Sequence, residues 1–77
     1  MKTKKPKLTA LQVVLGYLLT SREKGATSDE IERASGLPHQ TVSARLNELK
    51  YQHRMAYTTS RTRLTRRGRP AAVYFVF

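Results

Sequence analysis

The stretch Thr27-Ser-Asp-Glu-Ile-Glu-Arg-Ala-Ser-Gly-Leu-Pro-His-Gln-Thr-Val-Ser-Ala-Arg-Leu-Asn-Glu-Leu49 decides how this chain folds. Thr27 places a hydroxyl three residues before Glu30, a capping box, and Asp29 and Glu30 add negative charge where the helix dipole favours it. Ile31 and Ala34 supply an inward face, and Gly36 closes a helix of barely two turns. Leu37-Pro38 opens the next helix, because proline's fixed φ and missing N–H cost nothing there. On it Val42, Leu46 and Leu49 fall within about 60° of one another, a narrow core-facing stripe. This helix should run to about Tyr51. His53 stands where a chain-reversing residue with positive φ is often found.

Working outward, Leu8, Leu11, Val14, Leu15, Leu18 and Leu19 share an arc of about 140° at 100° per residue, one face of an earlier helix. Pro6 and Lys7 lead into it and Gly25 can end it as a left-handed cap. Ala10, Val13 and Tyr17 lie on its opposite face. After His53 the period changes to two. Met55–Thr59 and Ala71–Phe77 read as strands, the second rich in β-branched and aromatic residues. Between them Ser60–Pro70 reads as an arginine-loaded hairpin tip with Gly68 and Pro70 as breakers. The fold class is mainly α with a small β-hairpin (α+β): three helices and a C-terminal two-stranded wing.

A long helix, a short capped helix, a turn at Gly36 and a third helix follow the helix-turn-helix order, and a basic hairpin after them gives a winged arrangement. Through Gly36–Leu49 the chain resembles winged helix-turn-helix DNA-binding domains of bacterial and phage regulators. The resemblance covers about residues 8–77 and leaves 1–7 as a basic flexible N-terminal tail. One departure is His53, where such domains commonly have glycine.

Opposite the Val42/Leu46/Leu49 stripe lie Gln40, Ala44, Asn47 and Tyr51, with Thr41 and Ser43 on the flanks and His39 at the helix start. The amides of Gln40 and Asn47 can pair with adenine N6 and N7, each good pair contributing about 1–3 kcal/mol of discrimination, and Ala44 permits close approach to a thymine methyl. His39 is placed for phosphate contact or plain exposure. Glu48 would be repelled by phosphate unless it accepts from a cytosine N4 or, the favoured reading, pairs with Arg45 or Lys50 on the same helix. In the wing, Arg61, Arg63, Arg66, Arg67 and Arg69 form a basic cluster around Gly68. Arg67-Gly68-Arg69-Pro70 is identical to the core of the AT-hook, a minor-groove motif; narrow A·T grooves attract inserted arginines, and glycine lets the backbone approach. The alternative is phosphate contact alone.

The charge distribution points the same way. The 77 residues carry 15 Lys and Arg against 5 Asp and Glu, a net charge of +10. Residues 1–7 contribute +4 through Lys2, Lys4, Lys5 and Lys7, residues 8–53 are neutral, and residues 54–77 contribute +6. Segregation of this kind marks a polyanion-binding surface rather than a solvated face, and the lysine tail is suited to tracking phosphates.

Several classes are disfavoured. With no cysteine, disulfides and thiolate metal sites are excluded and a reducing compartment fits. The longest apolar run, Val13–Leu19, is far short of the about 20 residues a membrane helix needs. Met1-Lys-Thr-Lys-Lys before an apolar stretch mimics a secretory signal, but Thr9 and Gln12 interrupt it. His39 and His53 alone make neither a zinc site nor a catalytic pair, and the acids at 29, 30 and 32 read as capping. We expect no enzyme, cofactor, metal, membrane or small-molecule ligand, and a cytoplasmic, nucleoid-associated protein.

Three functions remain. The first is a double-stranded DNA-binding regulator of transcription or replication, of phage or mobile-element type, with the third helix in the major groove and the wing in the minor groove. The second is an architectural protein that coats A·T-rich DNA. The third is a protein-interaction or inhibitor module. RNA binding is weaker because exposed aromatics for base stacking are scarce. A homodimer could form through Val13, Tyr17 or the C-terminal strand; alternatively the strand packs beneath the first helix and covers those two residues.

Overall fold

The computed structural model describes residues 8–77. The basic tail, with Lys2, Lys4, Lys5 and Lys7, lies outside the described residues. The elements are α1 (Ala10–Ser21), α2 (Ser28–Ser35), α3 (His39–Asn47), β1 (Ala56–Leu64) and β2 (Pro70–Val76). Thr27 caps α2 as expected: its Oγ1 accepts the Glu30 N–H and Glu30 Oε1 accepts the Thr27 N–H, each at 3.2 Å. Gly36 ends α2 in the left-handed region at φ 75°, a conformation that favours glycine.

The helices close over one core. Val14 and Leu18 from α1, Ile31 from α2, and Val42, Leu46 and Leu49 from α3 and its extension are buried with Ala26 and Ala56. Each large aliphatic side chain so buried contributes about 1.5–3 kcal/mol. β1 and β2 pair antiparallel, Ala56 opposite Val76 and Leu64 opposite Pro70. Ala26 adds a bridge on the other side of β2, its N–H donating to Tyr74 O at 2.9 Å and its carbonyl accepting the Tyr74 N–H at 2.8 Å.

Several local readings change. α1 starts at Ala10 because Thr9 and Gln12 form a second capping box, so Leu8 precedes the helix and stands exposed, as does Leu19. Tyr17 is half-buried beside Glu30, Arg33 and Ala34 of α2 rather than beneath the strand. Gly25 does not cap α1, which ends at Ser21 and is followed by a 3-10 turn over Arg22–Lys24. Gly25 instead lies against the sheet: at φ 67° and ψ −176°, a Cβ there would stand 2.6 Å from Val73 Cγ1 and 2.7 Å from Phe75 Cε1.

α3 follows Pro38, which occupies the N-cap rather than the first helical position, and continues through a wide π turn over Glu48–Gln52. The His53 N–H donates to Glu48 O at 2.9 Å. This wider turn takes up an extra residue, so the positive φ expected at His53 falls on Arg54, at 53°, while His53 has φ −89°. The hairpin tip is also shorter than predicted. β1 runs on to Leu64 because Arg61-Thr-Arg-Leu64 conceals a strand among polar residues, and two extra residues bulge from β1 between Thr58 and Thr62.

Candidate nucleic-acid interface

The sequence-predicted reading face lies outward on α3. Gln40 and Asn47 are exposed, while Thr41, Ser43 and Ala44 are half-buried. Among the described residues the Gln40 and Asn47 amides have no hydrogen-bond partner. Seven positions at 1.5 Å each separate them by roughly 10 Å along the helix axis, with Ala44 between. Glu48 is neutralised as expected, Arg45 Nη2 donating to its Oε2 at 2.7 Å.

His39 is held from behind. Its Nδ1 lies 2.6 Å from Glu32 Oε2, so the carboxylate selects Nδ1–H as donor. Nε2 is turned toward Ser43 Oγ at a long 3.4 Å. The ring therefore stands at the front of α3 in an orientation set by α2.

The six wing residues divide into three groups. Arg63 stands opposite Ala71, and its guanidinium reaches α2: Nη1 donates to both Glu30 oxygens at 2.6 and 2.8 Å, and Nη2 to Lys24 O at 2.6 Å. Arg66 donates from Nε to Asp29 Oδ1 at 2.7 Å and from its backbone N–H to Oδ2 at 3.2 Å; its Nη2 lies 3.8 Å from Glu32 Oε1. Both arginines thus fasten the wing to the start of α2. Arg61 falls in the β1 bulge and lines a hollow shared with Arg22 and Tyr57. Arg67, Gly68 and Arg69 complete the tip beyond Arg66, exposed, and Arg67 and Arg69 form no ion pair among the described residues.

Thr65, which the sequence does not single out, organises that tip. Its N–H donates to Arg69 O at 2.8 Å, its carbonyl accepts the Gly68 N–H at 2.9 Å, and its Oγ1 accepts the Arg67 and Arg69 N–H groups at 3.3 and 3.4 Å. Gly68 takes φ 75°. Arg67-Gly68-Arg69 is consequently a closed turn rather than an extended segment.

The acids at the start of α2 do more than cap it. Some desolvation of Asp29 would raise its pKa, but the hydrogen bonds and charge of Arg66, with Arg33 nearby, outweigh this and hold the carboxyl below its ordinary value. The sequence signal was available: three of the five acids lie within four residues, in a chain whose hairpin is all cation. His39, Arg66 and Arg67 line one cleft of about 310 Å³ with Ser28, Asp29 and Thr65, which brings the start of α3 and the wing tip together. Among the described residues there is no group of three or more His, Cys, Asp or Glu suited to a metal, and no helix long and apolar enough to cross a membrane. No family model, curated protein or solved structure matches the chain.

Proposed function

We propose that this chain reads double-stranded DNA, with α3 in the major groove and the wing tip on the adjacent minor groove, and acts in the control of transcription or replication. The observation that carries the reading is the shared cleft: His39 at the front of α3 and the unpaired Arg67 of the tip line it together, with Arg69 exposed in the same turn, while Arg63 and Arg66 are bound internally. Gln40, Ala44 and Asn47 supply base contacts, and Arg67 and Arg69 supply cationic contacts. At 3.4 Å per base pair, the roughly 10 Å stripe matches about three pairs. Arg63 and Arg66 support the wing rather than contact the duplex.

The test is selection from a randomised duplex library at two salt concentrations. A motif of defined length retained at the higher salt is the expected result. Gln40→Ala with Asn47→Ala should erase its advantage over random DNA while leaving most non-specific affinity. Arg67→Ala with Arg69→Ala should flatten the log K against log salt slope by about 1.8, at ~0.9 per phosphate contact. Enrichment of A·T content without a motif would favour the architectural reading instead. No retention at low salt would defeat both DNA readings and leave the protein-interaction module.

A further inference from the structure

The sequence suggests too few exposed aromatics for base stacking, yet the fold gathers those it has at the hairpin base, the end away from the wing tip. Phe77 is 85% exposed and Tyr51 66% exposed. Tyr57 lies between the rings of Phe77, at a centroid distance of 4.7 Å, and Phe75, at 5.5 Å. Phe75 is buried under Gly25, so the stack is anchored at one end and open at the other. Leu19, Met55 and Phe77 line a further small hollow.

Tyr57 and Phe77 form a ridge between two hollows. The first, about 590 Å³, is flanked by Arg22 and Arg61; the second, about 490 Å³, is flanked by Lys50, Tyr51 and Arg54. Both volumes fall in the range of small-ligand pockets, roughly 300–1,000 Å³. Four cationic side chains and one acidic side chain, Glu23, line the pair. Arg22, Arg54 and Arg61 form no ion pair among the described residues. Lys50 is fixed in place, its Nζ donating to Thr58 Oγ1 at 2.9 Å and lying 5.0 Å from the Tyr51 ring centroid.

We propose that this end of the molecule is a second nucleic-acid site, for a single strand. The two demands of an unpaired strand are π faces for its bases and cations for its backbone, and here they alternate across one surface. Exposed Leu19 and Met55 adjoin Phe77 on one side. The two hollows, however, are walled by rings and their side-chain charge is four cations against one carboxylate, which favours a polyanion with planar bases over an apolar protein partner. A duplex keeps its base faces stacked and offers the rings nothing. Bases seat against Phe77, Tyr57 and Tyr51, and phosphates run past Arg22, Arg61 and Arg54. The site is independent of the duplex reading and stands if that reading fails.

The experiment is NMR titration of the full chain with oligothymidylate of roughly twelve nucleotides, within the range such platforms occupy, beside an abasic strand of equal length and a duplex. Upfield shifts of the Phe77, Tyr57 and Tyr51 ring protons with oligothymidylate alone are expected. Phe77→Ala, at an exposed position, should weaken oligothymidylate binding at least about fivefold, the lower end for one stacked base, and leave duplex affinity unchanged. Arg22→Ala should instead flatten the salt dependence of single-strand binding. Equal affinity for the abasic strand, or shifts confined to α3 and the wing tip, would overturn the proposal. So would ring shifts caused by a glutamate-rich aromatic peptide and not by oligothymidylate, which would assign the surface to a protein partner.

Discussion

The base and the tip of the β1–β2 hairpin differ in what holds them to the helices. At the base Ala56, Val73 and Phe75 are buried, and Ala26 pairs with Tyr74 through two backbone hydrogen bonds. Toward the tip no residue from Leu64 to Pro70 is buried, and the side-chain attachments are Arg63 to Glu30 and Arg66 to Asp29. Burial of apolar area depends little on salt or pH, whereas partly exposed ion pairs contribute only about 0–1 kcal/mol each and are screened. The difference teaches how one hairpin can be firm where it completes the core and yielding where it reaches outward. A wing tip aligned by weak, exchangeable ion pairs can adjust to a phosphate backbone without disturbing the core.

The largest effect should come from the base. Gly25→Ala places a Cβ 2.6 Å from Val73 Cγ1 and against the Phe75 ring, in a backbone conformation that alanine resists. Overpacking and strain together cost about 3 kcal/mol. At about 4–8 °C per kcal/mol for a domain of this size, thermal melting by circular dichroism should fall by more than roughly 10 °C at any salt concentration. A melting temperature within about 2 °C of the parent would show that the base is not held by this contact.

Glu30→Gln tests the tip. Glutamine keeps the oxygen that accepts the Thr27 N–H but loses the charge that binds Arg63. Stability should drop by about 0.5–1 kcal/mol in low-salt urea titrations, given the partial exposure of both partners. The difference should shrink toward zero near 1 M salt, where the Debye length is about 3 Å. A deficit that persisted at high salt would mean that packing, not charge, secures the tip, and the contrast with Gly25→Ala would collapse.

The same contrast explains what the sequence made legible. α2 and α3 could be read because their signals are local: a capping box at Thr27, a left-handed glycine at Gly36, and a Val42/Leu46/Leu49 stripe within two turns. The outward stripe of Gln40 and Asn47, with the half-buried Ala44 between them, followed from that same wheel. The attachments of the wing could not be read so directly, since Arg63 and Glu30 are 33 positions apart and local propensity carries no information about such a pair. Gly25 was misread for a related reason. Its position after an apolar run suggests a cap, while the demand that fixes it comes from Val73 and Phe75, far along the chain. The displaced positive φ at Arg54 reflects one extra residue in the π turn, a shift that side-chain periodicity does not register.

The smallest effect, and the sharpest separation of the two ends, is a pH titration. Asp29 has a folded pKa below its ordinary value because the hydrogen bonds and charge of Arg66, aided by Arg33, outweigh desolvation. A group with a depressed folded pKa contributes stability above its unfolded value and loses it as pH falls through the lowered folded value. Acidification below about pH 4, the ordinary aspartate range, should therefore release the tip from α2 first. The Arg66 amide, which donates to Asp29 Oδ2, reports this directly: its NMR shift should titrate with an inflection below that range, and Asp29→Asn should abolish the inflection. The Ala26 and Tyr74 amides, which bond each other's carbonyls, should stay fixed over the same interval. Should those two amides move together with Arg66, base and tip would be one cooperative unit, and the division between buried and ionic attachment would not describe how the wing responds.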